Sequence, residues 1–249
     1  MKLKIPGMAA MLVGAAFAAS ADATVINTVN NGEPSLQQVL NNITVGGNSS
    51  VNVNTDQVTN DSYWQIGASG GALSTFIIEL TAGAATQTFG IYDHSNPSNY
   101  VQLFNGSAST NTKAYVSIAA DGSVSVVQNL NDPSSLALYS GNFSGNNFGF
   151  YLGHGSGPQL YSDTNLNSDG KDHMVAFQGK GDTVQIGSNA AGPWDSNEYI
   201  LGFEDGTDFD YQDMVVMVES VSPVPEPSSI ALMGLGLLGL GLVRRRKQA

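Results

Sequence analysis

The chain has 249 residues, with nine Lys or Arg against twenty-one Asp or Glu and no cysteine, for a formal net charge of −12. The missing cysteine excludes disulfides, a thiol nucleophile, a thiolate zinc site and Cys-attached haem. A surface this acidic repels nucleic acid and anionic lipid, so neither is expected as a partner.

At the N-terminus, Lys2 and Lys4 precede a mostly apolar run from Ile5 to Ala19, which closes on Ala21-Asp22-Ala23. A basic start, a short apolar run and a small-x-small exit predict a secretory signal peptide over residues 1–23, handled by the Sec export machinery, with Thr24 as the first mature residue. The run is a poor anchor, because spanning a bilayer takes ~20 residues. Residues 24–222 then hold three lysines and nineteen carboxylates, a net charge of −16. That length is enough for one domain with a sizeable core, and no interval repeats convincingly.

Pro34-Ser35 followed by Leu36, Val39, Leu40 and Ile43 has the spacing of a short amphipathic helix with Ser35 as its N-cap. Everything after it reads as strands: 63–66, 73–80, 86–92, 100–104, 114–119, 123–128, 148–152, 174–178, 183–186, 199–204 and 214–219. Gly, Asn, Ser and Asp separate these runs at the spacing of an antiparallel sandwich. Asp121-Gly122, between two alternating runs, is the best hairpin turn. The predicted fold is all-β, an antiparallel, jelly-roll-like β-sandwich over residues 24–219, with residues 220–227 as a linker.

Chemistry-bearing patterns are sparse. Gly67-Ala68-Ser69-Gly70-Gly71 fits a hydrolase nucleophile elbow, but an elbow needs a helix after it, and a strand is predicted there. His94, His154 and His173 are too far apart for a local zinc motif. No enzyme activity is expected. The aromatics Tyr63, Trp64, Tyr92, Tyr100, Tyr151, Tyr161, Trp194 and Tyr199 leave two readings: a sugar-stacking platform, or core and cross-strand pairs.

Two segments concentrate the hard oxygen side chains that a cation takes. Glu204, Asp205, Asp208, Asp210 and Asp213 fall within ten residues, between two apolar strands. Two carboxylates ~4 Å apart repel by ~1 kcal/mol in water and several-fold more near a protein surface. Protonation, full solvation or a divalent cation must relieve such a loop. Calcium suits it best, taking hard oxygen ligands in flexible geometry. The second segment, Asp163, Asn165, Asn167 and Asp169 before Gly170, partly fits the start of an EF-hand loop. It has Ala176 where the bidentate Glu should stand, which leaves a looser calcium loop or a solvated turn rich in Asx residues.

At the C-terminus, Pro225-Glu226-Pro227 is followed by sixteen uncharged residues, Ser228 to Val243, then Arg244, Arg245, Arg246 and Lys247. Residues 228–249 are expected to form a membrane-inserted helix whose cations stay cytoplasmic. This order of features resembles the PEP-CTERM sorting tail of Gram-negative bacteria. The resemblance implies recognition at Pro225-Glu226-Pro227 and removal of the tail by an exosortase, a membrane transpeptidase-like enzyme.

A second resemblance covers residues 145–219. Phe148–Leu152, Tyr161–Asp163, Asp172-His173, Leu201-Gly-Phe-Glu-Asp205 and Asp208-Phe-Asp-Tyr-Gln-Asp213 are similar to a bacterial domain of unknown function found in large surface adhesins and PEP-CTERM proteins. Gln212 stands where that pattern has Asn. The resemblance implies a β-rich extracellular module and no known reaction. Together these readings describe an exported structural or adhesion protein of the cell surface, extracellular matrix or biofilm, steadied by calcium. It is held transiently in the inner membrane and then surface-bound or secreted. The alternative is a carbohydrate-binding module on extracellular polysaccharide.

Overall fold

The computed structural model describes residues 23–28, 32–67, 71–79, 86–106, 108–130, 132, 136–154, 157–206 and 208–225, with 71–79 and 154 as backbone. Most of the expected leader and the whole expected membrane segment lie outside the described residues. Among the described residues no helix is long and apolar enough to cross a membrane.

Helix α1 (Leu36–Ile43) forms where the spacing predicts it. Ser35 Oγ accepts from the Gln38 backbone N–H while the Gln38 side chain reaches back to the Ser35 N–H, a capping box that satisfies two of the first-turn donors. Leu36, Val39, Leu40 and Ile43 are its buried face.

Among the described residues fifteen strands follow in chain order: β1 (Trp64–Ile66), β2 (Gly71–Glu79), β3 (Gln87–Asp93), β4 (Asn96–Asn105), β5 (Lys113–Ile118), β6 (Ser123–Gln128), β7 (Ala137–Asn142), β8 (Asn147–His154), β9 (Pro158–Tyr161), β10 (Met174–Gln178), β11 (Thr183–Val184), β12 (Gly192–Pro193), β13 (Glu198–Phe203), β14 (Met214–Glu219) and β15 (Val221–Pro223). One sheet runs β15-β1-β8-β3-β4, with β9 on β8; the other runs β10-β13-β14-β2-β5-β6-β7. The strand pairings are antiparallel. The all-β sandwich is therefore as read, but the jelly-roll label is not: the sheets have six and seven strands, and β5-β6-β7 is a meander within one of them.

The inner faces share one core. Trp64, Phe89 and Phe150 of the first sheet meet Val116, Val126, Phe203 and Val216 of the second. Phe89 packs edge-on to Phe203 at 5.9 Å between ring centroids, and Trp64 edge-on to Tyr199 at 4.8 Å. Each such side chain contributes about 1.5–3 kcal/mol by leaving water. The hairpin at Asp121-Gly122 forms as expected, with Gly122 at φ +87°.

The larger sheet has a second layer over part of its outer face. Val175, Phe177, Ile200, Val215 and Met217 pack under α1, Val51, Val53, Trp194 and Tyr211. This is why β10 and β14 are buried almost continuously while β6 alternates. A strand covered on both faces has no polar side to show.

The predicted linker also begins as structure. β15 pairs with β1 in the register Trp64↔Pro223, Gln65↔Ser222 and Ile66↔Val221, and the Val224 N–H donates to the Tyr63 carbonyl at 2.8 Å. A three-residue edge strand ending in proline has no readable period, and proline is tolerated there because an edge needs fewer donors.

Candidate metal centre

The acidic loop 204–213 joins β13 to β14, whose closing pair is Phe203↔Met214. Pinning both ends in one register forces ten residues to fold back over the sheet. The chain turns sharply to do so: Phe209 and Tyr211 both adopt positive φ, +55° and +58°, a region that costs non-glycine residues energy. Tyr211 closes over Gly202, where a Cβ would meet the Tyr211 carbonyl oxygen at 2.5 Å, so only glycine fits.

Glu204 organises the loop. Its fully buried side chain accepts from the Gly206 N–H at 2.8 Å on one oxygen and from the Asp210 and Tyr211 N–H groups at 2.9 and 3.4 Å on the other. Its backbone is fixed to His173, through N–H to carbonyl at 3.0 Å and through the imidazole Nδ1 to the Glu204 carbonyl at 2.8 Å. Asp213 accepts from the Asp205 N–H at 2.7 Å. Residues distant in sequence brace the loop: Asn27 donates to the Phe209 carbonyl through its N–H at 2.8 Å and to the Asp208 carbonyl through its side chain, while Tyr211 Oη donates to the Asp172 carbonyl at 2.9 Å.

Within this frame one carboxylate oxygen from each of Glu204, Asp208, Asp210 and Asp213 lies within 4.8 Å of the others. Oxygens around one calcium ion at ~2.3–2.6 Å are at most about 5 Å apart, so the four fit one coordination sphere. Asp205, the fifth acid of the sequence motif, is not in this group; its carboxylate accepts from the Gln87 amide of β3. Gln212 donates to Asp210 at 2.8 Å and to Glu33 at 3.2 Å, and its buried amide oxygen accepts no hydrogen bond. Gln87, Glu33 and Asn27 were not legible as parts of this site.

The electrostatics follow from the crowding. Burial pushes the Asp213 carboxyl up to about 8, with the Asp205 and Glu204 charges adding to it. Burial also raises Glu204, as do Asp208 and Asp210, against the opposing hydrogen bonds from Gly206 and Tyr211. Asp210 is raised by burial first and by Asp208 and Glu33 after it. Hard carboxylate oxygens without nitrogen or sulfur suit calcium, magnesium or manganese and not a soft metal.

The second loop disposes of its side chains differently. Asp163 caps a 3₁₀ turn at Thr164–Leu166, accepting from the Asn165 N–H and side chain at 2.9 Å each, and also from the Tyr63 hydroxyl. Asn167 bonds Tyr161 through both N–H and carbonyl, at 2.8 and 3.0 Å, and the Lys171 carbonyl at 2.9 Å. Asp169 accepts from the Lys171 N–H at 3.1 Å and faces His173 Nε2 at 3.0 Å. The Asp163–Asn165 and Asp169–Lys171 backbone bonds are Asx turns, and the whole set ties these side chains to the protein's own groups.

Other sequence candidates resolve simply. Trp64 and Trp194 are fully buried, with their indole N–H groups on the Asp61 and Glu198 carbonyls, so neither offers a face to sugar. Of the eight aromatics, Tyr100 is exposed. Ala68 to Gly70 lie outside the described residues, and the chain continues from them as strand β2, not as the helix an elbow needs. His94 packs edge-on to Tyr63, far from the acid loop's neighbour His173 in sequence and contacts.

No curated protein and no solved structure matches the chain. Two family matches do stand: residues 111–221, from just before β5 through the whole acid loop to β15, match the Domain of unknown function DUF4114, and residues 223–247 match the PEP-CTERM protein-sorting motif. A DUF4114 domain is thus detected over residues 111–221 and a PEP-CTERM sorting tail after it, and the tail implies an exported surface protein processed by an exosortase.

Proposed function

We propose that this protein is a calcium-steadied β-sandwich serving as a structural or adhesive component of the cell surface, extracellular matrix or biofilm, and that it is not an enzyme. The observation that supports it most is the convergence of Glu204, Asp208, Asp210 and Asp213 at the end of a domain addressed outward by its tail. A bound cation would supply the positive charge this cluster lacks. The residues do the rest: Glu204 fixes the loop backbone, one oxygen of each of the three aspartates gathers beside it, Asn27 bonds the loop backbone and Tyr211 ties the loop to Asp172. The acids sit on one loop instead of facing each other across a cleft as an acid and base would. In this reading the Sec leader delivers the chain, the tail rests transiently in the inner membrane, and the mature protein stays on the surface or is released.

Thermal melts of the exported protein in EDTA and in added Ca²⁺ test the metal. A ligand of the native state raises the melting point by mass action, and an unchanged melting point rejects calcium. The intact mass of protein from cells and medium tests the sorting. Mature material still holding Arg244, Arg245 and Arg246 rejects tail removal. A glycan array tests extracellular polysaccharide, and with both tryptophans buried the expected outcome is no signal.

A further inference from the structure

We propose that the folded domain contains a receiving site for its own new N-terminus: Gln57 and Asp172 hold Thr24, and the ammonium created by cleavage after Ala23 becomes the counter-charge of the Asp172 carboxylate. The proposal rests on the export reading, which places that cleavage.

Thr24 is held at three points. Its N–H donates to Gln57 Oε1 at 2.8 Å, its carbonyl accepts from Gln57 Nε2 at 2.8 Å, and its hydroxyl donates to Asp172 Oδ2 at 2.6 Å. Gln57 is itself fixed by a second bond to the Val53 carbonyl at 3.0 Å and by an antiparallel bridge to Phe177. Ala23 is exposed, so the scissile side of the bond faces solvent while Thr24 is held against the body. Covalent geometry keeps the Thr24 nitrogen within roughly 6 Å of the Asp172 carboxylate, and an opposite charge at that range favours ionisation.

The acids there need such a charge. Burial raises the Asp172 carboxyl, and burial together with the Asp172 charge raises Asp61 well above the usual carboxylate range. Cations are scarce in the mature segment, which has three lysines and no arginine. Lys180 pairs with Asp56 at 2.7 Å, and Lys171 lies over the Phe209 ring. Other titratable groups facing this site are His173, next to Asp172, and Tyr211, on the Asp172 carbonyl. Before cleavage the position is a neutral amide. After it, the same nitrogen carries a positive charge already seated.

The seat is coupled to the acid loop. Three residues on, Asn27 bonds Asp208 and Phe209, and Asp172 bonds Tyr211. The seat therefore borders residues that brace the candidate metal centre.

The full precursor, exported from a Gram-negative host, provides the test. Mass spectrometry of the product should show Thr24 first. A second precursor carries one alanine inserted between Ala23 and Thr24, which leaves Ala21 and Ala23 in place for cleavage and gives a mature chain one residue longer. At pH 7 the longer chain should melt roughly 3–6 °C lower, a shift readable in a domain of this size. In an Asp172→Asn background the extension should cost almost nothing. An ammonium stabilised by carboxylates has its pKa raised above the ordinary ~7.7–8.0. Its contribution is present below that range and is lost as pH rises through the raised value, so the difference between the two chains should close in alkali. A product beginning elsewhere than Thr24 overturns the premise. A product beginning at Thr24, with equal effects of the extension in both backgrounds, overturns the site.

Discussion

Two loops of this protein, 163–172 and 204–213, are both rich in oxygen-bearing side chains and have opposite structures. In the first, Asp163, Asn167 and Asp169 turn onto backbone N–H groups of the loop or of the adjoining Tyr161. In the second, four carboxylates turn toward one another. The difference lies in what the loops connect. The first crosses from β9 in one sheet to β10 in the other, so its ends are not paired and each side chain can settle on the nearest N–H. The second is closed by the Phe203↔Met214 pair, and its own Tyr211 backbone is packed down on Gly202, which holds its acids close together. Ligand-bearing residues are thus cheap in a sequence; the constraint that gathers them is a property of the strands on either side.

The largest test of that contrast is a pair of double variants. With calcium a hundredfold above its Kd, binding adds about 2.7 kcal/mol, or about 5–10 °C in a domain of ~200 residues. Asp208→Ala with Asp210→Ala should abolish this rise in a thermal melt, whereas Asp163→Ala with Asp169→Ala should preserve it on a lower baseline.

Next comes Glu204→Ala, which strands three N–H donors and should cost about 2–3 kcal/mol in urea unfolding even in EDTA. Glu204→Gln should cost less, because one oxygen remains. Asn167→Ala should cost about 1–2 kcal/mol by the same measurement without altering the calcium response. If it did alter that response, the two loops would not be independent.

The smallest effect separates the loops by pH. Asp213 is raised in the fold, so the metal-free domain is more stable where it is protonated and loses stability as pH climbs from about 4 toward 8. Asp169 is lowered, first by the Lys171 N–H and then by His173, so its contribution is present above the ordinary carboxylate range and lost in acid. Asp213→Asn should flatten the first limb of a stability–pH curve, and Asp169→Asn should slightly flatten the second.

Much of this was readable beforehand where the determinant is local. Ser35 and the spacing of Leu36 to Ile43 specify α1, and strands 123–128, 174–178 and 214–219 match the structure end to end. What escaped depends on distant partners. β7 is an exposed edge whose Leu138 and Tyr139 face water, so no alternation marks it. β15 exists because Trp64 pairs with Pro223. The acid cluster was visible as five equal ligands. The division of labour within it was not, because Glu204 as internal anchor and Asp205 as partner of Gln87 follow from folding geometry and leave no trace in spacing.

The three-residue strand β15 also determines how the molecule meets mechanical load. Val224 is still bonded to Tyr63, and the next residue is Pro225 of the sorting motif. A pull on an anchored C-terminus is therefore delivered to the sheet with no slack between. It arrives at the Pro223↔Trp64 end of β15, and any peeling toward Val221 would draw on a side chain of the main core.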